Sequence, residues 1–171
     1  MTVIRRAAEA DVPLILKLIR ELADYEHLEH EVTATERQLC EALFGESPAA
    51  EAILAYERGD ETRDEAGAAV GFALYFATFS TFLARRGIWL EDLYIRPAFR
   101  RRGHGQALLR HVAKVAVERG CGRLEWAALD WNTPATDFYK RLGAVPMEDW
   151  TTFRLTGDVL AGVASGSGKQ A

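Results

Sequence analysis

The chain has 171 residues, 49% hydrophobic and 27% charged, which is typical of one soluble globular domain that folds unaided. Its net charge of −4 at pH 7 gives no general attraction to nucleic acid, so we expect no nucleic-acid partner. No apolar run approaches the ~20 residues of a membrane span, and residues 1–6 lack the apolar region of a signal peptide. We therefore expect a cytoplasmic protein with no membrane partner.

Apolar residues recur at helical spacing in two stretches of the first half and alternate in others. The pattern predicts, in chain order, a strand at 2–6, a helix at 12–25, a helix at 35–44, a strand at 51–56, a polar hairpin loop at 58–67 and a strand at 68–79. Asp11 is expected to cap the first helix, with Pro13 in its first turn.

The second half alternates strands and helices in the same way. It is predicted to contain a strand at 88–95, a helix at 106–118, a strand at 123–129, a short helix at 134–142 and strand material at 145–155. Residues 1–157 are expected to form one domain, and 158–171, which end in Ser-Gly-Ser-Gly-Lys-Gln-Ala, a flexible tail. Mixed helices and strands indicate an α/β (α+β) fold around one sheet.

The turn between the strand at 88–95 and the next helix has the features of a phosphate-binding site. It reads Arg100-Arg101-Arg102-Gly103-His104-Gly105. The first N–H groups of a helix have no partner inside it, the helix dipole adds positive charge there, and glycines let an anion approach the backbone. The spacing is neither that of the P-loop nor that of Gly-x-Gly-x-x-Gly. A solvated basic turn is the alternative reading.

A second polar cluster lies at 130–143. Asn132 stands where a strand is predicted to end and a helix to begin, so its side chain can hydrogen-bond a ligand at the sheet edge. Tyr139 offers a phenolic hydroxyl on that helix, although Phe138 and Tyr139 are equally consistent with a packing pair.

The order Arg-x-x-Gly-x-Gly at 100–105, then Asn-x-x-Ala-x-x-Phe-Tyr-x-x-x-Gly at 132–143, resembles the GNAT superfamily of acetyl-CoA-dependent N-acetyltransferases. The resemblance covers residues 3–156. Within that superfamily, the segments 21–26, 90–94, 125–126 and 130–132 look like the diamine (spermidine/spermine) acetyltransferases, and closest to their thialysine or amino-acid-directed members.

The resemblance implies a mixed, mostly antiparallel sheet with flanking helices, whose strands at 88–95 and 123–129 splay apart around acetyl-CoA. It implies pyrophosphate binding by the arginine turn and strand-like pairing of the pantetheine arm with the strand edge. The cofactor-binding residues it implies are Leu93, Ile95, Arg100, Arg101, Arg102, Gly103, His104, Gly105, Asn132 and Tyr139.

Acetyl transfer to an amine requires two proton movements. An alkyl amine has a pKa near ~10.4 and must lose a proton, for which Glu91 and Asp92 are the available carboxylates. The leaving thiolate, with a pKa of about 8.5, departs more easily when protonated, and Tyr139 fits that role. Tyr139 and Glu91 are the predicted catalytic residues. Because neighbours on a strand point to opposite faces, Glu91 and Asp92 are expected to have different roles.

The acceptor is predicted to be a small cationic amine bound by Glu26, Glu91 and Asp92. Arg85 and Arg86 argue against a highly charged polyamine and favour a lysine-like or thialysine-like acceptor whose carboxylate an arginine binds. Glu91 paired with one of these arginines is the structural alternative. Other functions considered are a peptide or protein N-acetyltransferase and a non-catalytic acetyl-CoA sensor.

No metal site is expected. Cys40 and Cys121 lack metal-ligand spacing and are predicted to be structural buried thiols, and nothing completes a site around His27 or His30. The resemblance also implies a homodimer, for which the aromatic segments at 76–82 and 150–153 offer surface.

Overall fold

The computed structural model describes residues 1–57 and 68–166. The chain forms two compact units, Met1–Ala127 and Ala128–Ala171. The predicted hairpin loop at 58–67 lies outside the described residues, as do the last five residues of the tail.

The first unit contains a five-stranded sheet. Its strands are β1 (Thr2–Arg6), β2 (Glu51–Glu57), β3 (Ala69–Ser80), β4 (Arg85–Ile95) and β5 (Leu124–Glu125). They lie in the order β1-β2-β3-β4-β5, with antiparallel pairing up to β4 and parallel pairing between β4 and β5. This confirms the predicted mixed, mostly antiparallel sheet.

Helices cover the sheet. In the first unit these are α1 (Val12–Tyr25), α2 (Glu36–Phe44) and α3 (His104–Glu118). Leu18 of α1 and Leu43 of α2 pack in one core cluster with Leu54 and Phe72 of the sheet. The buried face of α3 contacts β4, β3 and β1. The second unit contains α4 (Thr133–Arg141) and α5 (Gly157–Ala164).

Asp11 does not cap α1, contrary to the prediction. A short 3-10 turn, Glu9–Asp11, precedes the helix and leaves Asp11 already in a helical conformation. Its carboxylate therefore points back, accepts a hydrogen bond from the Ala8 N–H at 2.7 Å and pairs with Arg5 at 2.6 Å. The Arg5 guanidinium lowers the pKa of the Asp11 carboxyl.

The later elements differ most from the prediction. β5 has two residues where seven were predicted, and the described residues 145–155 contain no strand. Trp150 and Phe153 are exposed there. Alternating apolar residues form a strand only where a neighbouring strand supplies hydrogen bonds, which the sequence pattern does not specify. Helix α5 was not predicted, because residues 158–171 were assigned to a tail whose flexibility stays a prediction.

Candidate active site

Strands β4 and β5 are paired over a short stretch only. They pair only through Ile88 with Leu124 and Trp89 with Glu125, after which β5 ends and β4 continues to Ile95 with β3 as its only strand partner among the described residues. The stretch 90–95 therefore presents a free strand edge, to which an extended ligand can pair as an additional strand. Leu93, predicted to bind the cofactor, lies on this stretch, and the carbonyl of Ile95 already accepts a hydrogen bond from Arg100 Nε at 2.9 Å.

The N-terminus of α3 follows directly and is open. Gly103 has φ +84°, a left-handed conformation that favours glycine, and no side chain caps the helix. A Cβ added at Gly103 would meet no described atom within 4 Å, so packing among the described residues does not require the glycine. By contrast, a Cβ at Gly105 would make ordinary 3.8 Å contacts with Ile95 and Leu93. The predicted phosphate-binding turn, residues 100–105, is called the cradle below.

The three arginines of the cradle are in different situations. Arg100 stacks on Tyr25, with its guanidinium carbon 4.2 Å from the ring centre, in addition to its bond to Ile95. Arg102 donates to both carboxylate oxygens of Glu57, at 3.0 and 3.2 Å. Arg101 is exposed, with φ +62°. The sequence does not distinguish the three arginines, whereas in the structure Arg100 and Arg102 already contact other residues of the protein.

His104 points away from the cradle. Its side chain is only 2% exposed, with Nδ1 2.8 Å from Thr2 Oγ1 and Nε2 3.2 Å from Glu57 Oε1. The ring is therefore part of the core beneath the cradle, and only the backbone N–H of His104 is available to a bound anion.

The carboxylates lie on an irregular part of β4. Leu74 pairs with Asp92 and Tyr75 with Leu90, so Glu91 is the extra residue of a β-bulge. The bulge interrupts the alternation on which the opposite-face prediction for Glu91 and Asp92 depended. Glu91 is exposed and accepts a hydrogen bond from Trp89 Nε1 at 2.8 Å.

Asp92 has the most perturbed carboxyl of this acidic cluster, defined as Glu26, Glu91 and Asp92. Burial raises the pKa of Asp92 to about 7, helped by the negative charges of Glu91 and Glu26. Burial also raises the pKa of Glu26. A carboxyl with a pKa near neutrality can both accept and release a proton at physiological pH. Sequence reasoning assigned the catalytic role to Glu91, whereas burial and the neighbouring charges favour Asp92.

Arg85 and Arg86 lie at the opposite end of β4 from Asp92. Both are exposed at the start of the strand, and the backbone of Arg86 precedes that of Asp92 by six residues, about 20 Å. Glu91 accepts a hydrogen bond from Trp89 rather than from either arginine. The position of the two arginines therefore adds no support to the predicted contact with the carboxylate of an acceptor.

Asn132 and Tyr139 belong to the second unit. Asn132 is the residue before α4, and Gly143 follows the helix with φ +87°. Asn132 itself has a non-helical conformation, whereas Ala135 and Tyr139, four residues apart, share a face of α4. The Phe138 and Tyr139 rings lie 5.2 Å apart, and both side chains are half-buried.

Sequence reasoning missed three residues around the site: Thr2, Glu57 and Trp89. The spacing of Trp89 and Glu91 could have indicated their contact, because residues two apart on a strand share a face. Nothing local to Glu57 indicates its partners, which are 45 and 47 residues away in sequence.

Within residues 1–57 and 68–166, no group of three or more His, Cys, Asp and Glu side chains could hold a metal ion. No helix in those ranges has the length and apolar character needed to cross a membrane. Cys40 and Cys121 are free and half-buried rather than fully buried, and the Cys40 thiol lies 3.6 Å from Glu9 Oε1.

Comparison with known proteins identifies relatives of the chain in sequence and in structure. Residues 15–144 match the profile of the Acetyltransferase (GNAT) family. The chain is 40% identical to thialysine N-epsilon-acetyltransferase of Bos taurus, over 94% of this chain and 96% of that protein. It is 34% identical to L-ornithine N5-acetyltransferase of Arabidopsis thaliana, over 94% and 86% of the two chains. A solved integron cassette protein from the V. cholerae mobile metagenome superposes with a TM-score of 0.75 at 26% identity, covering 95% of this chain and 97% of the other.

Proposed function

Because the chain belongs to the GNAT family of acetyltransferases, we propose that it moves an acetyl group from acetyl-CoA to a primary amine of a small cationic acceptor. Lysine-like amino acids such as thialysine or ornithine come before polyamines as candidates. The observation that carries the proposal is Asp92, a carboxyl with a pKa of about 7 on the free edge of β4.

The first unit fits acetyl-CoA, which supplies the activated acetyl thioester. The cradle offers the uncapped N–H groups at the start of α3, and the space a Gly103 side chain would fill is open to a diphosphate. The strand edge near Leu93 offers backbone groups to the pantetheine arm. Arg100, Arg101 and Arg102 add positive charge, although the ion pair with Glu57 offsets part of the charge of Arg102.

Asp92 is the proposed proton acceptor. A cationic amine that enters the acidic cluster favours the ionised form of Asp92, which takes a proton from the ammonium group so that the neutral nitrogen can attack the acetyl carbon. The second proton, which the nitrogen loses as the amide forms, balances the proton that the departing thiolate gains. Glu91, held by Trp89, and Glu26 contribute negative charge that attracts the ammonium group and keeps the pKa of Asp92 high. This arrangement assigns base catalysis to Asp92 and recognition to Glu26 and Glu91.

Tyr139 is the proposed proton donor to the departing thiolate, and Asn132 is the proposed contact to the cofactor near its reactive end. Both assignments rest on the family motif that these residues match.

The choice of an amino-acid acceptor rests on relatives. Proteins similar over most of this chain act on thialysine and ornithine, as their names state. Arg85 and Arg86, which first suggested an amino acid, begin β4 about 20 Å along the backbone from Asp92, so the choice does not depend on them.

A cytoplasmic homodimer is part of the proposal. The exposed apolar residues Phe79 and Phe82 in one unit, and Trp150 and Phe153 in the other, offer surface for a contact between copies. Light scattering at micromolar protein distinguishes a dimer from a monomer.

An acceptor screen tests the proposal. Acetyl-CoA consumption is measured with thialysine, lysine, ornithine, spermidine and spermine, using the wild-type chain and Asp92→Asn. We expect turnover of at least one amino-acid acceptor, faster than that of spermine, and its loss in Asp92→Asn. Failure of every amine with a chain that binds acetyl-CoA would contradict the proposal, and preference for spermine would contradict the choice of acceptor.

A further inference from the structure

A carboxylate, Glu57, pairs with an arginine of the cradle. Glu57 is the last residue of β2, and it contacts the residues on both sides of Gly103. Its oxygens accept hydrogen bonds from Arg102 Nη1 at 3.0 and 3.2 Å, and Oε1 lies 3.2 Å from His104 Nε2. A negative charge near a diphosphate site repels the ligand, so we looked for a function of the Glu57 carboxylate.

His104 fixes this carboxylate in place. The Arg102 guanidinium, followed by His104, holds the pKa of Glu57 below its usual range, so Glu57 is ionised at neutral pH and can only accept hydrogen bonds. His104 Nε2 must therefore carry the hydrogen, while Nδ1 lies 2.8 Å from the Thr2 hydroxyl. Since the ring is 2% exposed and has a polar partner on both sides, it cannot turn away without leaving a buried nitrogen unsatisfied.

Arg102, in contrast, can move. Its side chain is 52% exposed, and Glu57 engages only one of its three nitrogens. A guanidinium has five N–H donors, and half-exposed pairs of this kind are weak. A diphosphate at the open helix end can therefore draw Arg102 partly or wholly away from Glu57.

We propose that Glu57 is an internal competitor for Arg102, which lowers the affinity of the cradle for the diphosphate of CoA and so accelerates release of the CoA product. The inference rests on the proposed function, since it takes the CoA diphosphate as the ligand of the cradle. Product release often limits turnover, so a residue that weakens product binding raises the rate at which the enzyme is free for another cycle.

The variant Glu57→Gln tests the inference with little disturbance. Glutamine keeps an oxygen that accepts from His104 Nε2 but removes the charge that competes for Arg102. We expect CoA, measured by calorimetry, to bind about 3- to 10-fold more tightly than to the wild type, with the gain shrinking at high salt. Glu51→Gln is the matched control, because Glu51 is also paired with arginines but lies at the other end of β2, about 20 Å away. Its CoA affinity should equal that of the wild type.

Arg102→Gln gives a second measurement that does not depend on the folding of the Glu57 variant. With Glu57 present part of the Arg102 charge is offset, so we expect this change alone to weaken CoA binding by less than about 3-fold, and by more in the Glu57→Gln background. Equal or weaker CoA binding by folded Glu57→Gln, or a loss above about 3-fold in Arg102→Gln alone, would overturn the inference and leave the proposed function standing. If the wild-type chain binds no CoA, the proposed function fails and the inference fails with it.

Discussion

Replacing Asp92 with asparagine should stabilise the protein while removing its activity. Asparagine resembles the neutral form of the carboxyl, which burial favours. Raising the pKa of Asp92 from 3.8 to about 7 costs up to about 4 kcal/mol once the carboxyl is ionised, at about 1.4 kcal/mol per pH unit. A loss of folding stability at one residue is expected where catalysis requires a group with a shifted pKa.

The stability difference between Asp92→Asn and the wild type should grow as the pH rises. The unfolded carboxyl ionises near its ordinary pKa of 3.8 and the folded one near 7, so the wild type loses stability as the pH rises between these values and stays level above them. The advantage of Asp92→Asn should therefore be between 1 and 2 kcal/mol at about pH 5 and reach up to about 4 kcal/mol at pH 8.

Denaturant unfolding of both chains at pH 5, 6, 7 and 8 measures this difference. The exposed Asp130 gives a control, because Asp130→Asn should change the free energy of unfolding by less than about 0.5 kcal/mol at every pH. A gain in Asp92→Asn that does not vary with pH, or no gain at pH 8, would refute the reasoning that burial raises the pKa of Asp92.

Three further changes test the cradle, the proton donor and the acceptor site. Gly103→Val should weaken CoA binding at least 10-fold by calorimetry, whereas Gly120→Val, equally open and left-handed with φ +66°, should lose similar stability but keep CoA affinity. Tyr139→Phe should lower kcat by ~10² to 10⁴ with CoA affinity unchanged, and an unaltered kcat where chemistry limits turnover would exclude this donor. Glu26→Gln should raise KM for the amine more than it lowers kcat, and indifference of KM would remove Glu26 from recognition.

Much of the first unit could be predicted because its signals are local. The bounds of α1 and β1 follow from spacing over a few residues, and the cradle follows from glycines that adjoin the start of α3. Residue 35, where the second helix was predicted to begin, is the threonine that caps α2, its side-chain oxygen accepting from the Gln38 N–H. These elements need no distant partner to be recognised.

The parts that could not be predicted depend on residues far apart in sequence. The pKa of Asp92 depends on burial and on Glu26, 66 positions earlier, and the bulge beside it depends on how β3 pairs with β4. The partner of Arg102 lies 45 residues away. Arg85 and Arg86 seemed close to the carboxylates in sequence, but the extended conformation of β4 separates them by about 20 Å. Residues near each other in sequence are farthest apart in space when they lie along one strand, because a strand is the most extended backbone conformation.

The pH dependence of kcat/KM tests the central claim, that Asp92 accepts the proton of the amine. With thialysine as acceptor and saturating acetyl-CoA, the wild type should lose activity as the pH falls through about 7, because Asp92 becomes protonated in the free enzyme. Asp92→Asn should have a rate lower by ~10² to 10⁴ and no inflection in that range. An inflection near pH 7 that persists in Asp92→Asn, or a variant as active as the wild type, would contradict the account.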